Sequence, residues 1–266
     1  MPLLDLIILA LIQGVTEFLP ISSSGHLILL PELTGREDQG VILDVAVHVG
    51  TLFAVMLYFR SDVLRAVRGG FQLLRGRVAT AEAWLALLLI ISTIPVILFG
   101  MFLKLTGLVD AMRSMEVIGW TMLIFGLVLY WADKTGAEEK RAGEWLMKDA
   151  LIMGLWQALA LIPGTSRSGA TITASRFLGY RREDGAKLAM LMSIPTIIAS
   201  GAVISLDIAG GSPGVFRDAA IAAGLAFVSA LAALALMMRL LASVSFTPYV
   251  IYRVILGVIL LGVAYT

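Results

Sequence analysis

Three long runs without a charged residue constrain this chain more than any other feature of its sequence. Residues 84–103, 188–206 and 219–238 contain only apolar and small polar side chains. Each run approaches the length of about 20 apolar residues that a helix needs to cross a bilayer. Apolar residues make up 59% of the 266-residue chain, whereas soluble proteins average about 45–50%. We therefore predict an all-α integral membrane protein.

Six segments are long and apolar enough to be transmembrane helices, and two more are apolar but interrupted. The six predicted spans are residues 42–59, 84–104, 116–132, 188–206, 218–239 and 248–266. The interrupted segments, residues 5–30 and 150–178, carry proline, glycine and a serine cluster near their middle. Irregular backbone at membrane depth is tolerated only where it is buried in protein or lines a wet cavity. We therefore predict two re-entrant helix–loop–helix segments.

Basic residues predict which helix ends face the cytoplasm. Five arginines lie between residues 60 and 77, which we interpret as one short cytoplasmic loop because such loops are rich in Lys and Arg. Alternating through the six spans then puts fifteen basic residues on the cytoplasmic side. Four fall on the external side, namely Arg36, Lys104, Arg113 and Arg217. This asymmetry favours the proposed orientation over its reverse.

The same topology makes the two halves of the chain repeats of opposite orientation. The first interrupted segment enters the membrane from outside and the second from the cytoplasm, and three spans follow each. We predict one membrane domain with an inverted-topology repeat: repeat one at about 1–132, a linker at 133–149 and repeat two at about 150–266. We expect the charged linker to lie on the surface, with Trp145 at the level of the lipid headgroups.

The composition also excludes some kinds of chemistry. The chain has no cysteine, which excludes disulfides and thiolate catalysis. Its first residues lack the basic stretch and small-residue cleavage site of a signal peptide, so we expect them to remain in the mature chain. The formal net charge of +1 gives no indication of a nucleic-acid partner, and we predict none.

The two interrupted segments resemble each other in sequence. Residues 13–26 and 157–170 align at an offset of 144 residues without a gap. The matching pairs are Gln13 with Gln157, Ser22 with Ser166, Ser24 with Ser168 and Gly25 with Gly169. Charged groups within such segments are costly and need a partner or a function. The segments are therefore the predicted functional part of the chain.

Their residue types suit the handling of a phosphate group. Serine hydroxyls, free backbone N–H groups and a helix N-terminus form a cradle for an anion, and the guanidinium of Arg167 suits phosphate oxygens. The carboxylate of Glu17 could hold a divalent cation or act as a base, because Mg²⁺ prefers one or two carboxylates together with phosphate oxygens and water. His26 could transfer protons or attack phosphorus. Together these groups favour phosphoryl transfer.

Other roles for the same residues stay open at this point. The serines could serve close helix packing. Glu17 could lie on an ion pathway or form a structural ion pair with Arg167, and His26 could be structural. We expect His48, in the middle of a span, to pack or to form a helix–helix hydrogen bond. We expect Arg253 to extend its charged end to the cytoplasmic surface.

Four stretches resemble those of the undecaprenyl-diphosphate phosphatases. Residues 17–26 (Glu-Phe-Leu-Pro-Ile-Ser-Ser-Ser-Gly-His) and 163–172 (Pro-Gly-Thr-Ser-Arg-Ser-Gly-Ala-Thr-Ile) are similar to that family's two signatures. Residues 44–51 and 246–253 also resemble family stretches, so the likeness covers essentially the whole chain. It implies a multi-pass enzyme of the bacterial cytoplasmic (inner) membrane, with its site open to the external face. It also implies a dependence on Mg²⁺ or Ca²⁺ and an association with bacitracin resistance.

The resemblance implies roles for individual residues. Gln13 and Glu17 match an acidic motif of two polar residues four apart and would be the metal ligands, although Gln13 leaves one carboxylate where some members have two. The implied catalytic residues are Glu17, Ser23, His26 and Arg167. The implied substrate-binding residues are Ser22, Ser24, Ser166, Ser168 and Thr171. Either His26 or Ser23 would attack phosphorus.

The sequence therefore predicts a polyprenyl-diphosphate phosphatase that hydrolyses undecaprenyl diphosphate to undecaprenyl phosphate and inorganic phosphate, which recycles the carrier for cell-envelope synthesis. Its partners would be the lipid substrate and membrane lipid, and homo-oligomerisation stays open. A lipid or anion transporter or channel is the alternative, because inverted repeats with broken helices are common in transporters. A phosphatase should act in detergent, whereas a transporter needs a sealed bilayer.

Overall fold

A computed structural model describes residues 1–35, 39–205 and 213–266 of the chain. Arg36, which the topology prediction places outside, lies beyond these described residues, as does the end of the predicted span 188–206. In chain order the helices are α1 (Leu3–Thr16), α2 (Ser23–Thr34), α3 (Val41–Tyr58), α4 (Arg60–Leu74), α5 (Ala81–Thr106), α6 (Leu108–Ala111), α7 (Met115–Thr135), α8 (Met147–Leu159), α9 (Arg167–Phe177), α10 (Arg182–Ser205), α11 (Pro213–Leu240) and α12 (Thr247–Tyr265).

Six of these helices are long and apolar enough to cross a membrane. They are α3, α5, α7, α10, α11 and α12, in agreement with the six predicted spans. Between 22% and 39% of the residues in the apolar part of each span are buried inside the protein. The remaining apolar side chains point outward, which suits a lipid solvent and would be unfavourable in water.

The interrupted segments form two pairs of shorter helices. Helices α1 and α2 flank the first break, and α8 and α9 flank the second. Helix α1 packs against α11, in the second half of the chain, and α8 packs against α5, in the first half. The two halves are therefore interlocked, because each contributes a short helix to a long helix of the other.

Small residues allow these helices to approach closely. A side chain added at Gly50 of α3 would place its Cβ 2.2 Å from the carbonyl oxygen of Ala223 in α11. At Gly14 of α1 the nearest atom would be the Ser229 hydroxyl, at 1.9 Å. Close backbone approach increases van der Waals contact, which drives helix association where lipid is as apolar as the side chains.

A buried ion-pair network joins several helix ends on one side of the bundle. Asp133, at the end of α7, lies 3.2 Å from the Arg176 guanidinium and 2.7 Å from that of Arg182. Its second oxygen accepts a hydrogen bond from the backbone N–H of Phe246. The side chain of Arg176 is completely buried, and removing one partner of such a pair typically costs about 3–5 kcal/mol. The ends of α7 and α9 and the starts of α10 and α12 therefore lie together.

The linker packs onto the same end, contrary to the surface position expected for Trp145. Only 3% of Trp145 is exposed, because the linker folds against the starts of α8 and α10. Tyr180 donates a hydrogen bond of 2.7 Å to Asp149, and Lys140 lies 3.0 Å from the same carboxylate. Burial and the neighbouring Asp149 raise the pKa of Tyr180 well above its usual value, so the phenol remains a neutral donor. The prediction that Trp145 lies among lipid headgroups was wrong.

The arginine-rich stretch between residues 60 and 77 is also different from its prediction. It is a helix, α4, over most of its length rather than a loop. Asp62, on its packed side, forms an ion pair of 2.8 Å with Lys187 at the start of α10. The stretch therefore lies on the same side of the bundle as the linker, as the topology prediction requires.

Crowding the contact between α3 and α11 should destabilise the protein. We expect Gly50→Ala to lower the free energy of unfolding by about 1–3 kcal/mol, because the added methyl group overlaps the Ala223 carbonyl and forces the backbones apart. Gly224→Ala is the matched control on α11, since nothing lies within 4 Å of its added Cβ. Thermal unfolding in detergent measures both. A Gly50→Ala protein as stable as the control would contradict the close approach.

Candidate active site

The two breaks share an unusual backbone geometry. Ser22 and Ser166 have positive φ angles of 74° and 71°, which are uncommon for residues other than glycine. Each is the N-cap of the helix that follows, and its hydroxyl accepts a backbone hydrogen bond, from Gly25 at 3.3 Å and from Gly169 at 3.1 Å. The sequence alignment paired these same residues. The likeness of the two segments therefore extends from residue type to backbone conformation.

The two breaks meet inside the protein. The guanidinium of Arg167, at the start of α9, forms an ion pair and hydrogen bond with Glu17, at the end of α1. It also donates a 3.1 Å hydrogen bond to the carbonyl of Ser193 in α10. Ser168 donates a 2.9 Å hydrogen bond to the carbonyl of Leu19 in the first break. The ion pair between Glu17 and Arg167, which the sequence left open as one alternative, is therefore present.

Glu17 contacts four side chains of the site. Its side chain is 3% exposed. Besides Arg167, it accepts hydrogen bonds from the Ser23 hydroxyl at 2.7 Å and from the Gln13 amide at 2.9 Å. The Nε2 atom of His48 lies 3.8 Å away. Such a carboxylate can take up a proton from Ser23 or contribute an oxygen to a bound cation.

His48 belongs to this site, which the sequence analysis did not foresee. Its Nδ1 lies 2.7 Å from the carbonyl of Asp44, one turn earlier in α3. A carbonyl only accepts, so Nδ1 carries the proton and Nε2 is the atom directed at Glu17. The expectation of simple packing or a helix–helix hydrogen bond missed this contact. The signal was present in the family-like stretch around His48, residues 44–51.

His26 connects the first break to α12. Its Nδ1 donates to the Ser22 carbonyl at 2.6 Å, and its Nε2 lies 2.6 Å from the hydroxyl of Tyr252. The two rings are stacked, with centroids 5.7 Å apart. Because Nδ1 bears the proton, Nε2 of the neutral ring accepts from Tyr252. Tyr252 was not singled out by the sequence, although it lies within the family-like stretch 246–253.

Arg253 does not extend to the membrane surface, and that prediction was wrong. The residue is 0% exposed. Its guanidinium donates hydrogen bonds of 2.9–3.3 Å to five backbone carbonyls, those of Pro20, Thr121, Met122, Gly164 and Thr165. Carbonyls freed where a helix is broken must find donors when no water is available. One arginine side chain therefore satisfies both breaks and ties them to α7 and α12.

The remaining predicted site residues are hydroxyls around the meeting point. Ser22 lies 3.4 Å from Ser24, and Ser166 lies 3.2 Å from Ser168. Ser24 is exposed, whereas the other three are largely buried. The hydroxyl of Thr171 is buried and donates to carbonyls of its own helix. Its assignment as a substrate-binding residue stays a prediction.

The residues near Glu17 fit a divalent cation only together with substrate oxygens. Among the described residues, no group of three or more His, Cys, Asp or Glu side chains could hold a metal ion. The Oε1 atom of Gln13 is nevertheless buried without a hydrogen-bond partner. Glu17 and this amide oxygen make one carboxylate and one neutral ligand, which is the small protein share that Mg²⁺ uses beside phosphate oxygens and water.

Comparison with known proteins identifies the family of this chain. The family model described as "Bacitracin resistance protein BacA" matches residues 6–259. A protein of Jannaschia sp. (strain CCS1), named undecaprenyl-diphosphatase, is 67% identical over 266 residues that cover all of both chains. Proteins of the same name from Dinoroseobacter shibae and Maricaulis maris are 65% and 47% identical, covering 100% and 98% of each chain. The chain belongs to the BacA family of bacitracin resistance proteins.

Proposed function

We propose that this protein is an undecaprenyl-diphosphate phosphatase. It hydrolyses the terminal phosphate of undecaprenyl diphosphate and so regenerates the monophosphate carrier for cell-envelope synthesis in the bacterial cytoplasmic membrane. Full-length relatives at 64–67% identity are named for this activity. The observation that carries the proposal is the ion pair between Glu17 and Arg167 at the junction of two serine-rich breaks.

The proposal includes two re-entrant segments in inverted repeats, with the site open to the external face. Lys140 of the linker contacts Asp149 near the start of α8, and Arg176 at the end of α9 contacts Asp133 at the end of α7. These contacts support a hairpin of α8 and α9 that leaves the membrane on the side where it entered. The repeats would span about 1–132 and 150–266, as the sequence predicts.

The first contact of the enzyme with the diphosphate would be electrostatic. Arg167 donates from one nitrogen to Glu17 and from another to Ser193, which leaves further N–H groups of its guanidinium for phosphate oxygens. The N-termini of α2 and α9 both lie at the breaks, and their backbone N–H groups favour an anion. The hydroxyls of the neighbouring serines complete the cradle. The prenyl tail would lie between helices or in the bilayer.

The geometry supports Ser23 over His26 as the group that attacks the terminal phosphorus. The Ser23 hydroxyl donates its hydrogen bond to Glu17, which is the arrangement of a nucleophile and its general base. The Nε2 lone pair of His26, in contrast, faces the Tyr252 hydroxyl. Attack by Ser23 would form a phosphoserine and release undecaprenyl phosphate. Water would then hydrolyse the phosphoserine, and His26 would transfer a proton in this step.

A divalent cation such as Mg²⁺ or Ca²⁺ would be held by Glu17 and Gln13. When bound with substrate it would neutralise negative charge on the diphosphate, which favours attack by an electron-rich oxygen. The unpartnered Oε1 of Gln13 supports this position.

Phosphate release by the purified protein tests the proposed function. In detergent, without a membrane gradient, the protein should release inorganic phosphate from a prenyl diphosphate, and a chelator should stop the reaction. We expect Arg167→Ala to lower the rate at least about a hundredfold, because a charged donor in a water-poor site is lost. Arg181→Ala, at an exposed arginine outside the site, is the matched control.

Two results would contradict this proposal. If the Arg167→Ala protein folds and turns over substrate at the wild-type rate, the active site does not lie around Arg167. Absence of phosphate release by the wild type in detergent, with solute movement across a sealed bilayer, would favour a transporter instead.

Chemical stability of a trapped intermediate identifies the attacking atom. We expect protein quenched during turnover of a terminally labelled diphosphate to retain label after acid treatment, because a phosphate ester of serine resists acid whereas phosphohistidine does not. Ser23→Ala should abolish the labelling, and His26→Gln should not. Label that is lost in acid and depends on His26 would assign the attack to the imidazole.

Removing the guanidinium of Arg253 should loosen both breaks at once. We expect Arg253→Ala to lower the free energy of unfolding by at least about 2 kcal/mol, because several buried carbonyls lose their donor. Arg253→Lys, with three donors for five carbonyls, should lie between that variant and the wild type. The thermal unfolding temperature and the rate of phosphate release should both decrease in these variants. An alanine variant with wild-type stability would show that other donors replace the guanidinium.

A further inference from the structure

Helix α4 presents an apolar stripe away from the protein. Leu64, Val67, Phe71 and Leu74 are between 51% and 85% exposed. Their spacing of three and four residues places them on one face of the helix. None of the six transmembrane spans includes this segment. The stripe therefore needs an explanation other than spanning the bilayer.

The opposite face of α4 holds it firmly against the bundle. A Cβ at Gly69 would lie 1.9 Å from the carbonyl oxygen of Glu82 in α5. Asp62, largely buried on the same face, forms its ion pair with Lys187 of α10. Because this face already fixes the helix, the exposed stripe cannot turn inward without breaking both contacts.

Positive charge borders the apolar stripe. Arg60, Arg68, Arg75 and Arg77 are exposed and form no ion pair within the described part of the chain. Arg65 has one, of 3.4 Å with Asp62. On a helical projection, Arg68 and Arg75 lie beside Leu64 and Phe71, next to the stripe rather than across the helix from it. Helix α4 thus combines an apolar face with unpaired guanidinium groups.

We propose that α4 lies in the plane of the membrane surface and binds the headgroups of anionic phospholipids. Its apolar stripe would enter the boundary of the acyl chains, while its arginines bind lipid phosphates above it. The helix lies at the end of the bundle that we assign to the cytoplasm, where anionic lipid attracts basic segments. This lipid site is independent of the proposed phosphatase site.

The charge pattern selects this occupant. A neutral lipid surface would cover the apolar stripe but would offer no anionic partner to the four arginines. A soluble acidic protein would pair with the arginines but would compete with lipid for the stripe. An anionic leaflet satisfies both faces together. Each arginine near such a surface contributes about fivefold to its affinity, and the effect weakens as salt rises.

Lipid retention by the full-length purified protein tests the proposal. We would equilibrate the protein with equal amounts of phosphatidylglycerol and phosphatidylcholine in detergent and determine the bound lipids by native mass spectrometry. The wild type should retain mainly phosphatidylglycerol. A variant with Arg60→Gln, Arg68→Gln, Arg75→Gln and Arg77→Gln should lose most of that preference. The corresponding variant with lysine at all four positions is the matched control and should keep it.

Two further measurements separate the site from effects on folding or insertion. Raising the salt concentration should reduce the preference of the unmodified protein. Arg113→Gln, an exposed arginine assigned to the other side of the membrane, should leave the preference unchanged. The proposal is overturned if the glutamine variant or high salt leaves the lipid ratio at its wild-type value. It is also overturned if a bound protein, rather than lipid, covers α4 in native membranes.

Discussion

Backbone carbonyls released at a broken helix must find hydrogen-bond donors even where no water is available, and this requirement governs the rest of the structure. Arg253 meets it for both breaks by donating to carbonyls of Pro20, Gly164 and Thr165. Because the same guanidinium also contacts carbonyls of α7, it fixes the breaks relative to two spans. The irregular backbone of the site is therefore held by a buried side chain rather than by solvent.

The second consequence is electrostatic. An isolated carboxylate or guanidinium is costly when it is buried away from water. Glu17 and Arg167 neutralise each other, and they also form hydrogen bonds with Ser23 and Ser193. The pair comes from opposite halves of the chain, so the proposed catalytic groups exist as a set only when the halves are assembled. In the proposed reaction the diphosphate and its cation would bind side chains that are already charged and already held in position.

Much of the fold could be predicted because its signals are local. Span length follows from the number of consecutive apolar residues, and the predicted limits of α3 and α12 differ from the observed helices by a residue or so. Helix α4 was missed because its arginines interrupt the apolar residues along the sequence, so that the segment was interpreted as a basic loop between two spans. Arg253 and Trp145 were placed at the surface because residue type gives an average preference, whereas burial depends on which carbonyls and helices come to lie beside them.

The sequence by itself determined the membrane class, the number of spans, the two interruptions and the residue types gathered there. Hydrophobic length and motif spacing are properties of the linear chain, and they need no partner in space. Tertiary structure alone decided that His48 lies beside Glu17, that Tyr252 accompanies His26 and that one buried arginine serves both breaks. These contacts join residues far apart in the chain, and only the packing of helices brings them within the distance of a hydrogen bond or an ion pair.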